Sequence, residues 1–538
     1  MVGVLAVVLS ACDWPMFAFG PERTSSSPDT SISKDAVSSG SVALAWTAST
    51  TRAVSSPTVV GGVAYAATAD GTLVAYDAAG KTNCAGVPKT CSPLWTAPGA
   101  GSLQPAVVGG RVYTGFEVFD AAGSQNCSGS PKTCQPLVTY AANTTLQDFV
   151  VSNGVVYVTA SSASGAGVTL YAFDAAAQAG GSNCLSAPTG VCTALWTTGQ
   201  FFSGGPLAVG NGLVNAALTD PHAGTLQPSL VAFDAAGNRN CSGTPKTCAA
   251  LWTGPQGIEA FPPVGNGVAY ADFAVSRFSE LEGIDTKGNV VWQAGCGQPS
   301  CGHGGINTGP AIAVAGGFVY AESNGLGSFL LSALPDVNGT TGCSGTPKTC
   351  DPLWAYPTPS FVDGAAVANG VLWVTSGNQL EAFDAAGNVN CSGTPKVCNP
   401  LHTFTTASPQ SGPTIANGTV YVGTGDPTTN PGTLYAFSLE RVPPTTSVVQ
   451  PSNNAVLSGT TTLAASASDD VTVSKVEFHL TGGSYEDTNV CTAVLYYGWD
   501  CNWNTTTVPN GAYTLNSVAY DPAGNVGRSA NVAITVKN

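Results

Sequence analysis

Pro57-Thr-Val-Val-Gly-Gly-Val-Ala-Tyr-Ala-Ala-Thr68 reads as two short apolar strands joined at Gly61-Gly62. The unit recurs along the chain, with turn glycines at Gly62, Gly110, Gly154, Gly212, Gly267, Gly317, Gly370 and Gly418, 44 to 58 residues apart. A large residue follows each turn at a fixed offset: Tyr65, Tyr113, Tyr157, Asn215, Tyr270, Tyr320, Trp373 and Tyr421. Asn-Gly and Gly-Gly accept the positive φ angles of a type I′ turn, whose twist suits antiparallel strands. A hairpin returning every 40–50 residues or so predicts propeller blades of four short strands each.

A second period runs through Trp46, Trp95, Val138, Trp196, Trp252, Trp292, Trp354 and His402. Six of the eight are Trp, a residue large enough to dock one blade on the next, so these Trp are expected to pack and not to form a cofactor box. The last unit ends at Leu434-Tyr-Ala-Phe-Ser-Leu-Glu440 with no Leu-Trp strand after it. The first begins with an orphan strand, Val42-Ala-Leu-Ala-Trp-Thr47, which can complete the eighth blade and remove two exposed edges.

The 538 residues are only 9% charged and rich in Gly, and 32 acidic against 17 basic side chains give a net charge of −15. Without a basic stripe, nucleic acid is excluded as a partner. Sixteen of seventeen cysteines fall into close pairs. Six pairs share one context: Cys84/Cys91, Cys127/Cys134, Cys184/Cys192, Cys241/Cys248, Cys343/Cys350 and Cys391/Cys398. Cys296/Cys301 and Cys491/Cys501 complete the set. The typical segment, Asn240-Cys-Ser-Gly-Thr-Pro-Lys-Thr-Cys248, can turn back on itself, whereas zinc sites prefer two to four intervening residues and a second pair or His nearby. Local disulfides and an oxidising compartment follow. The repeated hairpins are expected to form a crown on one face, with Lys89, Lys132, Lys246, Lys348 and Lys396 at one equivalent place.

The odd cysteine, Cys12, closes the apolar run Val2–Leu9 and Leu9-Ser-Ala-Cys12, which resembles a bacterial lipobox. Lipidation at Cys12 is the expectation, with an ordinary signal peptide cleaved near Ala11 as the other reading. Residues 13–40 are Ser/Pro-rich and expected to wrap the domain. Residues 41–440 hold the repeat, 441–444 form a linker, and 445–538 carry short alternating strands suited to an immunoglobulin-like sandwich.

Asp-Ala-Ala-Gly followed by Leu-Trp resembles the Ala-x-Asp-x-x-Thr-Gly-x-x-x-Trp repeat of the quinoprotein (PQQ-like) β-propellers. Gly283-Ile-Asp-Thr-Lys-Gly-Asn-Val-Val-Trp292 carries it nearly intact, and Trp14-Pro-Met-Phe17 looks like the family's N-terminal segment. The C-terminal residues resemble bacterial Ig-like modules. The resemblance implies an eight-bladed β-propeller followed by an Ig-like β-sandwich, all-β throughout. A quinoprotein dehydrogenase would need adjacent cysteines, calcium ligands and a catalytic Asp; no two cysteines here are adjacent. The recurring Asp77, Asp120, Asp174, Asp234 and Asp384 stand where a carboxylate caps its own turn.

No catalytic, cofactor-binding or metal-binding residue is therefore assigned. Cys296-Gly-Gln-Pro-Ser-Cys301-Gly-His303 lacks a fourth ligand, and Asp469, Asp470 and Asp521 read as loop caps. The expected function is non-catalytic binding, recognition or scaffolding outside the cytoplasm, toward a protein or surface polymer, with the membrane reached through a lipid anchor only. The alternatives are a PQQ- and calcium-dependent dehydrogenase, and a carbohydrate or polymer binder acting through Tyr496, Tyr497, Trp499 and Trp503.

Overall fold

The computed structural model describes residues 12–538, apart from 87, 395, 142–143, 163–166, 179–182, 186–190, 221–226, 259–261, 276–277, 295–312, 326–327, 408–410, 426–430, 470–471 and 496–497. Cys296, Cys301, His303, His222, Asp470, Tyr496 and Tyr497 lie outside the described residues. The chain divides into two units, residues 1–34 with 46–436, and residues 35–45 with 437–538.

The first unit is built of antiparallel sheets, one per sequence repeat. In the first, Thr58–Val60, Val63–Ala67, Leu73–Asp77 and Trp95–Ala97 pair in that order. Eight such sheets form among the described residues. The last joins Thr414–Ala416, Thr419–Gly423 and Gly432–Leu439 to the N-terminal strand Val42–Thr50, so Trp46 and Tyr435 share a sheet. The turns have the predicted chemistry: Gly62 and Gly110 have φ of +79° and +76°, and Asn153 and Gly154 have +49° and +77°. Between the sheets pack Tyr65, Tyr157, Tyr270, Tyr320, Trp373 and Tyr421, all buried.

The cysteine hairpins occupy a place that the spacing did not foretell. They do not form a crown on a face. Each leaves its own repeat and lies along the outer edge of the preceding sheet, where its second strand pairs in parallel with the Trp strand. Trp46 stands opposite Lys89, Trp196 opposite Lys246, Trp292 opposite Lys348 and Trp354 opposite Lys396. Thr133 and Val191 do the same beside Thr96 and Thr139. Six of the eight sheets thus have hairpin strands covering the edge that would otherwise present unpaired N–H and C=O groups. The fourth and seventh sheets end at Trp252–Gln256 and His402–Thr405, because no such hairpin is inserted in the repeat that follows. The lysines serve the same joint: Lys246 Nζ donates to Gly237 O, Lys348 Nζ to Val337 O and Gly339 O, and Lys396 Nζ to Gly387 O, at 2.8–3.0 Å.

The N-terminal segment runs along the inner strands. Val59, Val107, Val151, Val209, Val264, Val314, Val367 and Ile415 each stand three residues before a turn glycine. Val59 N donates to Trp14 O, Val107 N to Pro15 O, Val209 N to Pro21 O, Val264 N to Glu22 O, Val314 N to Thr24 O and Val367 N to Ser25 O, at 2.7–2.9 Å. Ser27 Oγ then donates to Ile415 O at 3.1 Å. At the third repeat a side chain replaces the backbone: Arg23 donates to Phe149 O at 2.6 Å and to the Asp148 carboxylate at 3.2 Å. The backbone of residues 14–25 therefore meets the first strands of the repeats in chain order except at the third, which Arg23 reaches back to with its side chain, and Ser27 meets the eighth.

The second unit is a two-sheet sandwich. One sheet holds Thr445–Gln450, Thr460–Ser468, Trp499–Asn504 and Val494–Leu495; the other holds Ala455–Leu457, Val532–Val536, Gly511–Tyr520, Lys475–Gly482 and Tyr485–Thr492. Leu463, Val476, Phe478, Leu480, Tyr513 and Leu515 fill the space between. Cys491 and Cys501 are close in sequence, yet their bridge ties a strand of one sheet to a strand of the other. Trp503, expected to be exposed, is buried in this core, and Trp499 is half-buried beside it. The alternation Trp499-Asp-Cys-Asn-Trp503 turns Trp503 inward and Asn502 and Asn504 outward.

Candidate functional surfaces

Seven disulfides are at bonding distance: the six hairpin pairs Cys84–Cys91, Cys127–Cys134, Cys184–Cys192, Cys241–Cys248, Cys343–Cys350 and Cys391–Cys398, and Cys491–Cys501. Cys12 is a free thiol, half-buried, pushed up by burial and by Asp29 and Asp13. Among the described residues no helix is long and apolar enough to cross a membrane.

The indoles of Trp46, Trp95, Trp196 and Trp354 each lie on the turn glycine of the next repeat. A Cβ at Gly80, Gly123, Gly237 or Gly387 would come within 2.2–2.3 Å of the ring, so only glycine fits under it. The indole N–H groups are satisfied at the same turns: Trp46 Nε1 donates to Ala78 O and Trp354 Nε1 to Ala385 O, both at 3.1 Å. Trp292 donates to Pro335 O from a fully buried position. Trp252 donates to Thr286 O but is only half-buried, at the sheet edge that no hairpin covers. The Asp residues cap these turns. Asp77, Asp120, Asp234 and Asp384 are pushed up by burial, but hydrogen-bond donors outweigh this and hold them below the ordinary value. The donors are the Ser124 hydroxyl with backbone N–H groups at Asp120, Lys34 with backbone N–H groups at Asp384, and chiefly backbone N–H groups at Asp77 and Asp234, where Arg239 adds to them. They are structural carboxylates.

Trp14, Phe17, Ala18 and Ser25, with Gln104, Gly364 and Pro413, line a cavity of about 20 Å³ beside the inner strands. That is room for one water.

Buried carboxylates gather at the sixth and seventh repeats. Glu322 accepts from Val362 N at 3.0 Å and Thr358 Oγ1 at 3.4 Å; burial lifts it to about 7. Burial also lifts Asp363 to about 6 and raises Glu381, which accepts from Tyr356 Oη at 2.9 Å. No described His, Lys or Arg faces them at hydrogen-bond distance. His402 is lowered by burial and packs on Phe404.

In the second unit Glu440, Asp469 and Asp521 bring carboxylate oxygens within 4.8 Å of one another. Asn525 Nδ2 bridges Glu440 and Asp521 at 2.7 and 2.8 Å. Burial and Asp521 push Glu440 up to about 7. Elsewhere His479 lies between Glu477 and Asp487, each at 3.1 Å, and Arg528 grips Asp487 with two bonds of 2.8 Å. Sequence reading missed this network, because its members come from three strands and share no motif.

Edge-covered repeat sheets with a Trp-on-Gly joint, followed by a two-sheet sandwich, define a two-part all-β protein with a propeller-like repeat region. The profile of the family described as outer membrane protein assembly factor BamB matches residues 36–201, and that of the bacterial Ig domain matches residues 444–516. The chain thus joins PQQ-like repeats to a C-terminal bacterial Ig domain. No curated protein matches the chain. Among solved structures, Kluyveromyces lactis Hsv2 is 10% identical with a TM-score of 0.33, covering 64% of this chain and 95% of that one. Fibronectin(III)-like modules of Clostridium thermocellum CbhA are 21% identical with a TM-score of 0.15, covering 17% and 94%. The endo-β-1,4-mannanase of Thermotoga petrophila is 19% identical with a TM-score of 0.15; 19% of this chain covers 21% of that one, about a fifth of its length.

Proposed function

We propose that this is a non-catalytic, extracytoplasmic binding or scaffolding protein, with its eight sheets arranged as the blades of one closed propeller and Cys12 as the lipid attachment point. The contact of residues 14–27 with successive inner strands supports closure, since one short segment can reach all of them only if they surround a common axis. That contact also carries the functional reading. The segment fills the centre where a propeller enzyme would hold its cofactor, so binding falls to the rim, the loops and the Ig domain. Six hairpin disulfides that cover sheet edges would be reduced and loosened in a cytosol, which supports an oxidising location. The partner in this reading is a protein or surface polymer.

Fractionation of bacteria making the full chain tests this, together with labelling by a palmitate analogue. The expected result is labelled, envelope-bound protein with oxidised cysteines, and release with loss of label in Cys12→Ser. Cytosolic protein with reduced cysteines would overturn the assignment.

A further inference from the structure

The joint after the second repeat lacks the indole that most of the others share. At the second repeat the Trp position is Val138, and the glycine position of the following turn is Ala177. The two changes belong together. Where an indole is present, a Cβ at the turn would strike it, as at Gly123 under Trp95 at 2.3 Å; where it is absent, alanine is tolerated. Ala177 also lies outside the left-handed region that Gly80, Gly123, Gly237 and Gly387 occupy. The carbonyl that an indole N–H would meet is taken instead by Arg111, whose Nη1 donates to Ala175 O at 3.1 Å and to Ala177 O at 2.7 Å. Of the equivalent positions in other repeats, Val63, Val155, Leu213, Val268, Phe318 and Val371 are apolar and Thr419 is uncharged. Tyr140 replaces part of the lost aromatic packing, stacking on Phe173 at 4.6 Å and donating to Asp174 O at 2.9 Å.

Beside this joint there is space. A solvent-open cavity of about 430 Å³ is lined by Arg111, Asp120, Gln125, Leu137, Val138 and Gln178, and a second of about 200 Å³ adjoins it at Gln178. Its walls pair a guanidinium and two apolar side chains with a carboxylate and two primary amides. Arg111 and Asp120 stand at directly paired cross-strand positions, one cation and one anion, so the lining carries no net charge and a net ionic ligand gains little. A flat ring can lie against the guanidinium and the Leu137–Val138 wall, while the amides and Asp120 meet a polar edge.

We propose that this pocket beside the indole-free joint binds a neutral aromatic ring with a hydrogen-bonding edge, an indole or phenol, either free or as the side chain of an extended peptide. The Ala177 methyl keeps the ring from the position that Trp95 takes on Gly123, so it sits further out, over Arg111. Such a site would operate whether or not Cys12 carries a lipid.

Saturation-transfer NMR with indole, p-cresol and the capped peptide Gly-Trp-Gly tests it on the full chain. Val138→Trp with Ala177→Gly fills the pocket from within, and Arg111→Met removes the cationic wall. Saturable transfer to the wild type, weakened about tenfold in both variants, is expected. Tighter binding of the peptide than of indole identifies a polypeptide source; the reverse identifies a free aromatic molecule. If the double variant does not fold, judged by circular dichroism, Arg111→Met alone decides. Transfer that is absent in the wild type, or equal in wild type and variants, overturns the proposal.

Discussion

Trp46 and Tyr421 come from opposite ends of the repeat region, yet their rings are 5.9 Å apart and both donate to Ala78 O, each at 3.1 Å. One carbonyl of the first repeat thus holds together the N-terminal strand and the last repeat of the series. Trp46→Ala is expected to cost about 3–5 kcal/mol, and deletion through Thr47 to lower the melting temperature of the whole repeat unit. Differential scanning calorimetry of the two variants checks this; a loss confined to a small separate transition would contradict it.

Arg23 and Asp148 are both buried, and Asp148 also accepts from Leu207 N at 2.7 Å. Arg23→Met leaves that carboxylate without its cation, so a loss of about 3–5 kcal/mol is expected. The double variant Arg23→Met with Asp148→Leu should recover much of it, because the uncompensated charge is gone. Urea titration of the three proteins measures both.

Glu322 binds its proton more tightly folded, at about 7, than at its ordinary 4.5. The folded state therefore holds more protons across that window, and stability falls as pH rises from about 4.5 to 7. Asp363, at about 6 against 3.8, acts in the same direction at lower pH. Glu322→Gln should raise the melting temperature at pH 8 and change it little at pH 4. Equal effects at the two pH values would show that the carboxyl does not titrate in this range.

Gly123→Ala places a methyl 2.3 Å from Trp95 Cδ1 at a φ of +58°, for an expected cost of about 2–4 kcal/mol. Ala177→Gly, at the same turn position without an indole above it, should cost under about 1 kcal/mol. Chemical denaturation of the pair tests whether glycine is required by the ring and not by the turn alone.

Cys241→Ser with Cys248→Ser loosens the hairpin that covers the Trp196 strand, where Trp196 pairs with Lys246. A loss of about 2–3 kcal/mol is expected from the short loop alone. Faster amide exchange at Trp196–Thr198, with the fourth sheet unaffected, would locate the change at that edge.

The repeat, its strand directions and its turn chemistry were legible because each depends on neighbours within a few residues: paired glycines at positive φ, alternating apolar positions, and cysteines close enough to meet only each other. The final sheet was legible too, since an orphan strand at one end and a missing strand at the other can satisfy their backbone groups together. Tertiary structure alone decided where the hairpins go, because a hairpin's own residues do not say which edge it will cover; that edge belongs to another repeat. The same holds for Trp503, which alternation within the Ig domain buries, and for Arg23, whose partners are Asp148 and Leu207. Val138 and Ala177 were visible only as two unremarkable departures from the repeat. Their connection is a physical one, an indole and a methyl competing for the same space, and space is assigned only when the two repeats are packed.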